Sequence, residues 1–245
     1  MTGYFTGLLM CTLLCADLLS RIVYRLVKSN DVIVPHNARW FFVHAVANAL
    51  ICWSGYEDLV FCIENTSHCS LSQWTQWSRV TYNIAVLSHL YHIFVFFPHL
   101  TGSEWIHHLV MLLFAAPLAF LYPSRVATVG LCFLSGYPGL IDYSLLWLVK
   151  LGLVSPYIER RAYVWINAWI RSPGCLFACF LSLPALRDTE GLEFYCVLGQ
   201  VVIVFWNGQY YAMKTCSDYW KRHSIQGKDK TKSAHTNNKN RTRNA

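Results

Sequence analysis

Four stretches of this chain, 40–56, 80–103, 105–124 and 194–213, contain no Asp, Glu, Lys or Arg. Two more come close: 126–149 holds only Asp142, and 1–20 only Asp17. In a soluble domain about a quarter of the residues are charged; here the figure is 13% over 245 residues. A helix crossing the hydrocarbon core of a bilayer needs about 20 mostly apolar residues. Seven segments meet that need: 4–23, 40–61, 80–97, 104–122, 126–150, 163–184 and 193–213. They are continuously apolar, whereas the strands of a membrane barrel alternate over about ten residues. The expected fold is therefore all-α, a polytopic transmembrane helical bundle of about seven spans over 1–213, followed by a basic tail at 214–245.

The few charges are sorted. From Lys214 onward there are nine basic residues and two acids, so the tail accounts for the whole net charge of +7 and the body is neutral. The basic balance therefore gives no reason to expect a nucleic-acid partner. The tail has almost no large apolar residues after Trp220 and reads as disordered. Next to a membrane such a cluster attracts anionic lipid headgroups, at about 1 kcal/mol per Lys or Arg. Arg21, Arg25, Lys28 and Arg39 follow the first span; Lys150, Arg160 and Arg161 follow the fifth. The intervening loops are acidic or nearly uncharged. Cytoplasmic loops are enriched in Lys and Arg, which predicts a lumenal or extracellular N-terminus and a cytoplasmic C-terminus. The first span has its positive charge after the apolar run, the reverse of a signal peptide.

Two sequons match the glycosylation pattern, Asn65-Thr66-Ser67 and Asn240-Arg241-Thr242. On this topology only Asn65 faces the glycosylating side. Cys62 and Cys69 flank it; on an oxidising side they form a disulfide or stand as two free thiols. No Cys-x-x-Cys pair is present, and Cys175 and Cys179, four apart, read as helix packing. No metal framework, P-loop, dinucleotide fingerprint or nucleophile elbow is visible, and no cofactor is expected.

Ionisable residues inside a membrane are costly, face the bundle interior and commonly mark function. His44 and Asn48 share one face of the second span, and His89 and His92 one face of the third. The fourth span opens with Glu104 and His107-His108; the fifth holds Asp142, the sixth Asn167 and Arg171, the seventh Asn207 and Gln209. Convergence of these faces predicts a polar centre; the alternative is a set of interhelical hydrogen bonds worth about 1 kcal/mol each. In such a centre a His serves as general base, and Asp142 either orients it or pairs with Arg171. The His spacing does not match the boxes of di-iron membrane oxygenases. Gly136-Tyr137-Pro138-Gly139 precedes Asp142 and Ser172-Pro173-Gly174 follows Arg171. Proline kinks helices, and broken membrane helices line sites, so both segments are expected to interrupt their spans.

The segment Trp105-Ile106-His107-His108-Leu109-Val110-Met111 resembles the paired-histidine segment of the TLC-domain family, which includes the ceramide synthases. Arg125, Asp142 followed by Lys150, and the upstream Arg39-Trp40 and His44 are similar to other family positions; the likeness covers about 36–213. The His-Asp dipeptide of the synthases is absent, since the matching region reads Leu134-Ser135-Gly136-Tyr137-Pro138. The resemblance therefore implies the non-synthase branch: a multi-pass protein, by the same resemblance of the endoplasmic reticulum, that binds, regulates or transports membrane lipids. His107, His108, Asp142 and Arg171 then become headgroup contacts, with His44, His89, His92 and Arg125 as further ligand-binding residues. The first alternative is an acyltransferase using His107 or His108 as base with Asp142 beside it, and acyl-CoA as co-substrate. The second is a seven-span receptor or small-molecule transporter.

Overall fold

The computed structural model describes the backbone of residues 2–29 and 33–243 and the side chains of 6–29 and 33–221. Seven helices in it are long and apolar enough to cross a membrane. They are α1 (Thr2–Lys28), α2 (His36–Glu64), α3 (Gln76–Phe96), α4 (Gly102–Leu121), α5 (Arg125–Leu151), α6 (Pro156–Asp188) and α7 (Gly191–Arg243). Each is longer than its apolar run, because polar flanks continue the helix. The backbone of the tail runs on in α7. The side chains of 222–245, including Asn240 and most of the basic cluster, lie outside the described residues.

Local chemistry sets the helix starts. Thr75 caps α3 reciprocally with Ser78, and Thr101 caps α4 with Glu104. Ser124 and Ser155 accept from the amides of Ala127 and Ile158 at the starts of α5 and α6. Gly152 ends α5 at φ +78°, a backbone region that costs glycine little. Glu104 is thus engaged with the backbone of its own first turn.

The proline segments do not interrupt the spans. A π-turn stands ahead of three internal prolines instead: Met111–Ala115 before Pro117, Cys132–Gly136 before Pro138, and Asn167–Arg171 before Pro173, while Pro184, late in α6, follows a turn at Ser182. Proline has no N–H to donate, and its ring crowds the carbonyl one turn back. Widening that turn relieves the crowding and keeps the helix continuous. Pro98 and Pro123 behave otherwise: they lie in the turns that follow α3 and α4.

α2 is the central helix, packed on α1, α3 and both halves of α5, while α7 packs on α6 and α4. The main core joins Leu13, Val43, Ile51, Ile84, Tyr91 and Leu131. At one end, Trp74 Nε1 donates to Ser124 O at 2.7 Å and Tyr122 OH to Ser70 O at 3.2 Å, lacing the turns together. At the other end, which carries the basic loops, the rings of His36 and His99 stack at 4.2 Å. Leu18, Leu26, Leu113, Phe114 and Trp206 are exposed on the perimeter, as lipid-facing residues are.

Candidate functional site: a histidine centre near the basic end

Of the helix faces expected to be polar, those of α2, α3 and α4 come together, and five histidines meet. His44 comes from α2, His89 and His92 from α3, and His107 and His108 from the first turns of α4. Ring centroids step from His44 to His92 at 5.0 Å, from His92 to His108 at 4.7 Å, from His108 to His89 at 5.2 Å and from His89 to His107 at 5.1 Å. Trp40 closes the group, its ring 4.2 Å from that of His92.

Two of these rings are tied to the backbone. His44 Nδ1 donates to Trp40 O at 2.9 Å and His89 Nδ1 to Ala85 O at 2.8 Å. A carbonyl only accepts, so in the neutral ring each Nδ1 carries the proton and each Nε2 keeps a lone pair. His89 Nε2 lies 3.3 Å from His107 Nε2. His92 and His108 are buried, and among the described residues neither ring nitrogen of either has a hydrogen-bond partner. An unsatisfied buried polar atom costs about 1–3 kcal/mol, so this end of the bundle keeps an unfilled demand for donors and acceptors.

Tyr143 of α5 extends the polar track, its ring 4.8 Å from that of His44. Asp142 beside it is buried, with Oδ1 unpartnered among the described residues. Arg171 does not form an ion pair with Asp142 among the described residues. Its Nη1 donates to Asn167 Oδ1 at 2.9 Å, and its guanidinium lies 5.1 Å from the centre of the Tyr211 ring. Asn167 in turn donates to Tyr163 O at 2.8 Å. Tyr163 and Tyr211 line a cleft of about 510 Å³ between α6 and α7, with Glu159, Arg160, Lys214 and Asp218 also on its wall.

Other residues singled out in the sequence lie elsewhere. Arg125 is at the opposite end, 3.7 Å from Asp58, 3.9 Å from Glu57 and stacked over Phe61. Asn65 caps α2 there, half-buried, with its Nδ2 donating to Phe61 O at 3.0 Å. Cys62 and Cys69 are buried side by side as free thiols, one of the two arrangements open from the sequence. Cys69 Sγ donates to Thr66 O at 3.7 Å, and the neighbouring Cys62 thiol holds the Cys69 thiol below its ordinary pKa. Asn48 is a packing residue: its amide bonds His44 O at 2.8 Å and accepts from Ser135 of α5 at 2.7 Å.

Tyr143 carries no mark in the sequence as a member of a site, since aromatic residues crowd every span, and Trp40 is marked there only as a position similar to the TLC-domain family. Comparison with protein-family models, curated proteins and solved structures finds no match to this chain.

Proposed function

We propose that this chain is a multi-pass membrane protein that takes up membrane lipids, with the headgroup recognised in the polar track between the cleft and the histidine centre. The observation that carries the reading is the cleft between α6 and α7. Its volume, about 510 Å³, is in the range of small-molecule sites, about 300–1,000 Å³. Its wall offers both signs of charge beside tyrosine rings, which suits a headgroup carrying phosphate and amine. The exposed apolar flank of α7, including Val202, Phe205 and Trp206, suits an acyl chain left in the bilayer. Arg171 and Asp142 lie beyond the cleft, each with an unpartnered polar atom. The resemblance of Trp105–Met111 to the paired-histidine segment of TLC-domain proteins supports a lipid role from the sequence side.

Acyl transfer to a lipid amine or hydroxyl is a second reading, favoured by one observation. His108 is buried with both ring nitrogens unpartnered, as a base awaiting a substrate proton would be. On either reading the charged tail engages anionic headgroups of the cytoplasmic leaflet, and the endoplasmic reticulum is the proposed compartment.

The test is the lipid composition of cells lacking the protein, complemented by wild type or by His107→Ala/His108→Ala at equal abundance. One lipid class shifts on loss and returns with wild type; failure of the double variant to restore it assigns the step to the paired histidines. Restoration by the double variant removes the acyl-transfer reading, and an unchanged lipid composition on loss removes both.

A further inference from the structure

We propose that His89, His107 and His108 are the protein ligands of a divalent transition-metal ion, zinc foremost. One potential ligand atom from each of these side chains lies within 4.8 Å of the other two. The His89 Nε2 to His107 Nε2 separation of 3.3 Å is the significant dimension. Two imidazole nitrogens, each about 2.0–2.1 Å from a tetrahedral ion, lie about 3.3–3.4 Å apart. The pair is already spaced as two ligands of one ion.

The surroundings suit ligation. His89 Nδ1 donates to Ala85 O at 2.8 Å, which directs the Nε2 lone pair toward His107. A ligating histidine is usually oriented in this way, by a hydrogen bond from its other nitrogen. His108 is 2% exposed with neither nitrogen partnered among the described residues, so a bound ion would give one of them a bond that those residues do not supply. The plainer account of the 3.3 Å contact is an N–H···N hydrogen bond between two neutral rings. It leaves His108 unexplained.

Imidazole donors without carboxylates or thiolates suit zinc, copper, nickel and iron rather than magnesium or calcium. Three protein ligands leave a fourth position for water or substrate, the arrangement of a catalytic rather than a structural zinc site. His107 is exposed on the perimeter while His108 is buried, so that position has access from the edge of the bundle. Binding needs no change of charge on the protein. His107 would ligate through Nε2 with its proton on Nδ1, and all three rings would ligate in their neutral form. The inference stands on ring geometry alone and does not depend on the lipid reading.

The test uses the full chain, purified in detergent micelles without a polyhistidine tag and stripped with chelator. Zn²⁺ or Co²⁺ is then titrated in, and bound metal is measured by elemental analysis. The expected result is one ion per chain and, with Co²⁺, the intense visible absorption of tetrahedral coordination. His89→Ala and His108→Ala are each expected to weaken binding more than about 100-fold, beyond the roughly 10–100-fold typical of losing a partner outside the ligand set. His68→Ala, at the opposite end, retains binding. A wild-type protein of native helix content that binds no stoichiometric ion overturns the proposal, whether or not the variants fold. So does stoichiometric binding that survives His89→Ala and His108→Ala.

Discussion

Arg39 of α2 holds Asp17 of α1 in a two-pronged ion pair, Nε to Oδ1 and Nη2 to Oδ2, both at 2.6 Å. Tyr91 of α3 donates to the same carboxylate at 3.2 Å, so one buried acid ties three helices together. Removing one partner of a buried pair costs about 3–5 kcal/mol, because the other charge is left uncompensated. Arg39→Gln is expected to lower thermal stability in detergent by an amount of that order. Arg21, which reaches Asp17 at 3.3 Å but is 46% exposed, belongs with surface pairs worth about 0–1 kcal/mol, so Arg21→Gln has a small effect. Adding Asp17→Asn to Arg39→Gln removes the stranded charge and recovers much of the loss. Equal losses from the two arginine variants contradict this assignment.

That ion pair also marks how far the sequence could be read. The seven spans were legible because absence of charge over about 20 residues is a direct demand of the hydrocarbon core. Shared helix faces were legible from spacing alone, as with His89 and His92. Contacts between helices were not. Asp17 and Arg39 are 22 residues apart, and no local rule pairs them. Nothing in the sequence brings His89 against His107, whereas Arg125, which follows the span that His107 and His108 open, was legible as lying at the opposite end. The prolines were legible as irregularities but not as π-turns. Whether a helix breaks or widens at proline depends on the neighbours packed against it, and Gly139 and Gly174 let those neighbours come close.

A methyl group at Gly174 of α6 would run into the ring of Phe133 on α5. Both residues belong to the packing around the two π-turns, so space there is set by the ring and not by solvent. Overpacking of this kind costs about 1–3 kcal/mol. Gly174→Ala is expected to lower the midpoint of thermal unfolding, and Phe133→Ala in the same chain to relieve the clash. The double variant is then more stable than the two separate losses predict, a coupling readable in a double-mutant cycle. Additive losses show that the helices separate freely at this point.

Arg125 is expected to be a stability residue. Asp58 is 0% exposed, with Ser78 and Thr128 as its polar neighbours, and Arg125 Nε at 3.7 Å is the nearby positive charge. Arg125→Leu strands that carboxylate, and a loss of about 3–5 kcal/mol follows from breaking a buried pair. Asp58→Asn in the Arg125→Leu background restores much of the stability, since an amide carries no charge to strand. Complementation of the lipid phenotype by the double variant, at matched abundance, is unchanged. Loss of complementation with stability restored returns Arg125 to the lipid site.

Asn65 tests the orientation of the whole bundle. It sits at the C-terminus of α2, in the turn laced to Ser124 and Tyr122, at the end away from the basic loops. With those loops in the cytoplasm, Asn65 is lumenal and available for glycosylation, although its Nδ2 must first leave Phe61 O, 3.0 Å away. That bond is to the last turn of a helix, where carbonyls are readily resatisfied by water. Treatment with an endoglycosidase is therefore expected to shift the wild-type protein on a gel, Asn65→Gln to abolish the shift and Asn240→Gln to leave it. The converse pattern, with glycan on Asn240 alone, places the basic tail in the lumen. It would then remove the argument that the tail meets the anionic leaflet, while leaving the helix packing and the histidine centre as they are.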